Sequence, residues 1–123
     1  MTSRCRFARW VKLFAKYPNL GAFTPTGSFP QFVPQAYWQV AEKHKDRLDK
    51  KTIALVVADT LAVQMQILKD GLSHGQVGQR PFEMGYRAMF VLKDLVAGKK
   101  VKDPICTGLD VCTPENQATC LGK

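Results

Sequence analysis

The sequence predicts an α/β protein: a mainly parallel sheet with flanking helices, in three layers. Two observations carry this. Residues 53–58, Ile-Ala-Leu-Val-Val-Ala, are apolar without alternation, the mark of a strand covered on both faces, as in a parallel sheet. Around that run, stretches of helical periodicity alternate with short extended ones in the order αβαβαβαβ.

The first helix spans residues 6–17. Phe7, Trp10, Val11 and Phe14 fall at core-facing spacing, and Pro18 stops it. "GAFTP" (21–25) reads as a short strand and "TGSFPQFVP" (26–34) as a turn-rich loop. Pro34 suits the first turn of a second helix running to about Arg47. The apolar strand covers 51–59. Asp59 or Thr60 can cap the next helix, whose stripe is Leu61, Met65 and Leu68 and which ends at Gly71. "HGQVGQ" (74–79) is a short strand. Pro81 opens a long helix to Ala97, ended by Gly98, and residues 104–111 form a last extended segment.

The long helix carries more apolar surface than a single core contact uses. At 100° per residue, Phe82, Gly85, Met89, Leu92 and Val96 make one stripe. Met84, Ala88, Val91 and Leu95 make a second beside it, and Tyr86 and Phe90 widen the arc. A surface helix needs an apolar arc of about 100° or somewhat more. This one exceeds half a turn, so it is expected to meet neighbours on more than one side.

At 123 residues the expectation is one domain over 1–123 with a modest core. No stretch approaches the ~20 apolar residues of a membrane span. The net charge is +8, with Arg4, Arg6, Arg9, Lys12 and Lys16 preceding the first carboxylate, Glu42. No nucleic-acid motif and no interleaved aromatic pattern accompanies this charge. It reads as a solvated helix face, and no nucleic-acid partner is expected. The opening residues lack the ~7–15-residue apolar core of a secretory signal, so a chain natively starting here is expected in the cytoplasm. The four cysteines, Cys5, Cys106, Cys112 and Cys120, are spaced poorly for zinc and have few histidines to join them. An even count is compatible with disulfides in an oxidising compartment.

In parallel α/β sheets ligands bind beyond the carboxyl ends of the strands. Thr26–Phe29, Asp59–Thr60 and Gln79–Arg80 would meet there. Ser28, Phe29, Asp59, Gln79 and Arg80 then supply a hydroxyl, an aromatic face, a carboxylate, an amide and a guanidinium. That set suits sugar hydroxyls and the apolar C–H side of a sugar ring. Blander roles exist for each: a cap for Asp59, a strand–helix junction for Gln79, a surface charge for Arg80, loop packing for Phe29. Catalysis finds less support. There is no complete phosphate-binding glycine loop and no nucleophile elbow. His44 reads as lying on a solvated helix face and His74 in a turn, neither with a partner for acid–base work. Neither an enzymatic activity nor a cofactor is expected.

"KYPNLGAF", "VVADTLAVQMQILKDGLSHGQVGQRPFEMGYRAM" and "DPICTGLDVCTPENQATC" together resemble the carboxyl-terminal part of a periplasmic sugar-binding protein. The class is the type I, ribose-binding-like solute receptors of bacterial ABC importers, and the likeness covers about residues 10–120. The run "VGQRPFEMGYRAM" followed by "TGLDVCTPEN" is its most specific part. The resemblance implies two α/β lobes joined by three crossing strands, with sugar held between them. It implies sugar-contacting roles for Asp59 and Gln79, and a cleft-facing position for Ser28 and Phe29. It also implies an incomplete lobe, with the 81–97 helix packing in a lobe this chain lacks.

Further expectations follow from the resemblance. Cys112 and Cys120, either side of a short Pro-containing loop, can pair as in a periplasmic parent. Carbohydrate binding by the chain alone should be weak or vestigial. The uncovered helix and the unpaired sheet edges favour a homo-oligomer. The membrane subunits of an ABC importer would be partners only of a reconstituted two-lobed receptor. The competing expectation is a structural or regulatory protein–protein interaction domain without sugar affinity.

Overall fold

The computed structural model describes residues 3–121, with side chains from Trp10 onward. Arg4, Cys5, Arg6, Phe7 and Arg9 therefore have side chains outside the described residues. The element order is α1 (Ser3–Lys16), β1 (Ala22–Phe23), a short 3-10 helix (Phe29–Gln31), α2 (Pro34–Lys43), α3 (Lys45–Asp49), β2 (Ala54–Ala58), α4 (Ala62–Lys69), β3 (Gly75–Gly78), α5 (Pro81–Val96) and β4 (Asp110–Cys112). The sheet runs β1-β2-β3-β4. β1 and β3 flank β2 in parallel, while β4 lies antiparallel to β3 with Gly78 opposite Asp110. The α/β class and the mainly parallel sheet are thus as the sequence predicts. No helix among the described residues is long and apolar enough to cross a membrane.

The main core forms where α1, α2, α3 and α4 meet β1 and β2. Trp10 stacks on Tyr37 at 4.6 Å between ring centroids and meets Phe14 edge-on at 5.4 Å. Ile53, Leu55 and Ile67 are wholly buried around them. Tyr37 Oη donates to the Leu72 carbonyl at 2.7 Å, so the deepest aromatic keeps its polar end satisfied. Burial pushes the Tyr37 phenol well above its ordinary range, and the adjacent Gln31 and Ser73 side chains pull it the other way. A second, smaller cluster joins Leu68 and Met65 of α4 to Cys112 and Cys120. Those two cysteines are joined as a disulfide, which clips the segment after β4 back onto that strand, with α4 packed against it.

Several details differ from the sequence reading. The second helix breaks at His44 instead of running on to Arg47, because His44 leaves helical geometry and its ring stacks on Phe14 at 4.9 Å. His44 is therefore half-buried rather than on a solvated face. The strand begins at Ala54, not residue 51. Lys51 takes a left-handed turn with φ 54°, and Thr52 and Ile53 donate their N–H groups back to the Arg47 carbonyl to close α3. β2 buries Leu55 and Val57 fully, but Ala54 is exposed and Val56 and Ala58 are half-buried, so one face is only partly covered. Of the 104–111 segment, only its end pairs as β4.

The long helix is the sharpest departure from a closed core. Not one residue of α5 is buried, and Phe82 and Val96 are 84% and 90% exposed. Phe82, Tyr86 and Phe90 make an aromatic ridge at i, i+4 spacing, with centroids 6.2 and 5.0 Å apart. The 105–107 segment runs beside Met84, Ala88 and Leu92 across a hollow of about 510 Å³. Gly98, at φ 71°, ends the helix in the left-handed turn expected of it.

Candidate functional site

β2 and β3 run parallel, so their carboxyl ends deliver Asp59 and Gln79 to the same edge of the sheet. The two segments are held together closely. Asp59 N–H donates to the Val77 carbonyl at 2.8 Å, and Thr60 packs over Gly78 so tightly that a β-carbon there would lie 2.6 Å from its hydroxyl. Gly78 is thus the residue that lets the Asp59–Thr60 loop close onto β3.

Asp59 is half-buried and takes φ 74°. It therefore does not cap α4: the N-cap is Leu61, and helix entry is organised by Gln64 instead. The Asp59 carboxylate makes no hydrogen bond or ion pair with the described residues, which leaves both its oxygens open as acceptors. Gln79 follows β3 directly, and its side chain is exposed.

Arg80 is not a loose surface charge. Its Nε and Nη2 reach Asp110 Oδ1 at 2.9 and 2.8 Å, and Nη1 lies 3.7 Å from Glu83. Gly108 permits this, since a β-carbon there would fall 2.7 Å from the guanidinium carbon. The pair joins the chain leaving β3 to the chain entering β4. Ser28 is buried, and its carbonyl accepts Gln31 N–H at 2.9 Å to start the 3-10 turn. Phe29 is half-exposed, meets Phe32 edge-on at 5.8 Å and walls an apolar hollow of about 370 Å³ shared with Trp10, Leu13 and Phe23. Asp59 and Gln79 are brought to the same edge of the sheet, whereas Arg80 is drawn to Asp110 and Phe29 to the α1 side.

Sequence reasoning missed a buried polar cluster behind the site. Gln31, Gln64 and Gln76 are each 0% exposed. Gln64 Nε2 donates to the Ala58 carbonyl and to Gln31 Oε1, both at 2.8 Å, while Gln64 Oε1 accepts Leu61 N–H at 3.0 Å. Gln76 Nε2 donates to Gln31 Oε1 and to Ser73 Oγ, both at 3.2 Å. His74 also has a fixed role: Nδ1 accepts Leu55 N–H and Nε2 lies against the Leu48 carbonyl, each at 3.1 Å, pinning α3 to β2. Gln64 sits three residues after Leu61, the spacing at which Gln reaches back to a helix start, and this was the available signal. No group of three or more metal-ligating side chains occurs among the described residues.

No protein-family model matches the chain, and no curated protein matches it in sequence. Solved structures do. A glucose-galactose binding protein, GanP, from Geobacillus stearothermophilus matches with TM-score 0.72 and 24% identity, over 94% of this chain and 39% of that one. An ABC transporter solute-binding protein from Agrobacterium vitis, bound with α-D-tagatopyranose, matches with TM-score 0.71 and 20% identity, over 95% and 37%. A carbohydrate transporter solute-binding protein from Agrobacterium radiobacter, in complex with D-arabinose, matches with TM-score 0.68 and 18% identity, over 92% and 36%. The chain spans less than two fifths of the length of each. Its fold is that of a part of the solute-binding proteins of sugar ABC transporters.

Proposed function

We propose that this chain supplies one wall of a carbohydrate-binding cleft and binds sugar weakly or not at all by itself. The observation that carries the reading is Asp59, a half-buried carboxylate with no partner among the described residues, at the same sheet edge as Gln79 beyond the carboxyl ends of parallel strands. A carboxylate accepts hydrogen bonds from adjacent hydroxyls, and the Gln79 amide both donates and accepts. Ser28 and Phe29 stand apart from this pair, Ser28 buried and Phe29 walling the hollow beside α1, and they connect to it through the loop that carries Gln31. Arg80 serves it by fixing the backbone beyond Gln79 through Asp110, since two of its nitrogens are already committed there. The structural neighbours are described as sugar-binding and transporter proteins, and this chain is read as a binding protein rather than an enzyme.

One wall leaves a ligand wet on its other side, whereas good pockets bury about 70–90% of a small ligand. Calorimetric titration with glucose, galactose, arabinose and tagatose tests this. Weak heats abolished by Asp59→Ala and Gln79→Ala support the reading, and a sub-micromolar dissociation constant for the isolated chain defeats it. Importer membrane subunits enter only if a complete two-lobed receptor is reassembled.

A second reading is favoured by α5. A helix with no buried residue and an aromatic ridge suits an interaction surface. Leaving Phe82, Met89, Leu92 and Val96 in water forgoes roughly 1.5–3 kcal/mol per side chain. That sum is comparable to the ~5–15 kcal/mol stability of a domain. On this reading the folded unit is a homo-oligomer, most simply a two-fold dimer packed through α5, and sugar affinity is absent.

A further inference from the structure

We infer that Gln64 is a positioning residue: one buried amide fixes the backbone on both sides of Asp59 and ties it to the loop carrying Ser28 and Phe29. The carbohydrate reading supplies what the site would bind. What Gln64 does rests on geometry alone.

Asp59 stands at φ 74°, where the β-carbon of an L residue crowds the following carbonyl. A non-glycine residue stays there only when its surroundings hold it. Three hydrogen bonds do so. Val77 holds Asp59 itself through its N–H at 2.8 Å. Gln64 holds the residue before, through the Ala58 carbonyl at 2.8 Å, and the residue two after, through Leu61 N–H at 3.0 Å. The second Gln64 N–H then crosses to Gln31 Oε1 at 2.8 Å, in the 3-10 turn that begins at Phe29.

Only a glutamine meets all these demands. Its amide has one acceptor oxygen and two N–H donors, and all three are used. Glutamate would keep the acceptor and lose both donors, and asparagine is one methylene short. Because Gln31, Gln64 and Gln76 are wholly buried, water does not compete for these bonds. The Asp59 loop and the Ser28–Phe29 loop are therefore coupled: moving one pulls Gln31 away from the amide that shapes the other.

The test is nuclear magnetic resonance of the ligand-free chain. The Cα and Cβ shifts of Asp59 and its one-bond Cα–Hα coupling report left-handed backbone. In folded Gln64→Met, Asp59 should lose that signature, and Leu61 N–H should exchange about tenfold faster relative to Val57 N–H, the scale of one lost hydrogen bond. Gln31→Met lies on a different element and hydrogen-bonds to neither residue, yet it should shift the Ala58 and Asp59 resonances. It decides the matter if Gln64→Met does not fold. Unmoved Asp59 and Leu61 signals in a folded Gln64→Met overturn the inference, as do unmoved Asp59 signals in Gln31→Met when the other variant is unfolded. Galactose or arabinose added to the same samples forms a separate arm. Sugar-induced shifts at Asp59 that disappear in the variants support the positioning role. No sugar-induced shift in the wild type defeats the carbohydrate reading alone, while the Asp59 signature still decides the role of Gln64.

Discussion

The region around Tyr37 and the helix α5 are built from the same kinds of residue and end up opposite. Around Tyr37, Ile53, Leu55 and Ile67 are all buried to within 1%. Along α5, Leu, Met, Val and Phe residues all stay in contact with solvent. The difference is topological. β2 lies inside the sheet with partners on both edges and helices against it, so its apolar side chains find cover within the chain. The chain leaves the sheet at Gly78 and returns only at Asp110, and none of the α5 residues joins the core around Tyr37. Periodicity reveals which surface needs cover. It does not reveal which chain provides it.

That contrast can be broken by mutation, beginning with the strongest effect. Ile67→Ala should cost about 2–5 kcal/mol in urea unfolding, the range for a deleted core side chain. Leu92→Ala should stay within about 0.5 kcal/mol in a dilute monomer. Equal costs at the two sites would show that α5 is packed on its own chain.

The disulfide comes next. Cys112→Ala with Cys120→Ala should lose about 2–3 kcal/mol by the chain-entropy account of so short a loop. The loss belongs to the α4–β4 side, since the sulfurs pack on Leu68 and Met65.

Tyr37 offers a pH test of the packed region. Its folded phenol titrates above the ordinary value of about 10, so above that pH the unfolded chain sheds a proton that the folded chain keeps. The Tyr37 contribution is fully present below pH ~10. It falls with rising pH, with a slope approaching about 1.4 kcal/mol per unit. Tyr37→Phe should flatten that part of the profile. It should also lose about 1 kcal/mol at neutral pH by leaving the Leu72 carbonyl unpaired. An unchanged alkaline profile would mean that the phenol is less buried than it stands here.

The smallest stability change should accompany the largest change in assembly. Met89→Glu with Leu92→Glu should alter monomer stability by less than about 0.5 kcal/mol. Sedimentation at micromolar concentration should show the wild type as a dimer and the variant as a monomer. A well-behaved wild-type monomer would remove the oligomer reading.

The order and type of the elements were legible because strong punctuation marks them. Pro34 and Pro81 open helices, Gly98 closes one, and the unbroken run at 53–58 names the central strand. The exposure of α5 was foreshadowed by its wide apolar arc. The left-handed turn at Asp59 was not legible, since aspartate is equally at home as a helix cap. The glutamine cluster was hidden for a different reason. Gln31, Gln64 and Gln76 each look like surface residues, and only the fold places them within 3.4 Å of one another. Gln76 carried a faint clue, being the polar residue of a strand whose neighbours lie on both sides. The bonds that fix His74 left no trace in the sequence, because its partners, Leu55 N–H and the Leu48 carbonyl, are backbone groups.

The antiparallel step between β3 and β4 has a consequence for engineering. Gly78 and Asp110 stand opposite each other, so everything between them departs from and re-enters the sheet at one doorway, latched by Arg80 and Asp110. Residues 79–109 are thus a cassette. A tight two-residue Asn-Gly hairpin could replace them without rethreading any strand, because such turns match the twist of adjacent antiparallel strands. The shortened chain would shed the whole apolar helix and keep the Tyr37 core, the glutamine cluster and the disulfide. It would be a compact scaffold on which other excursions could be mounted.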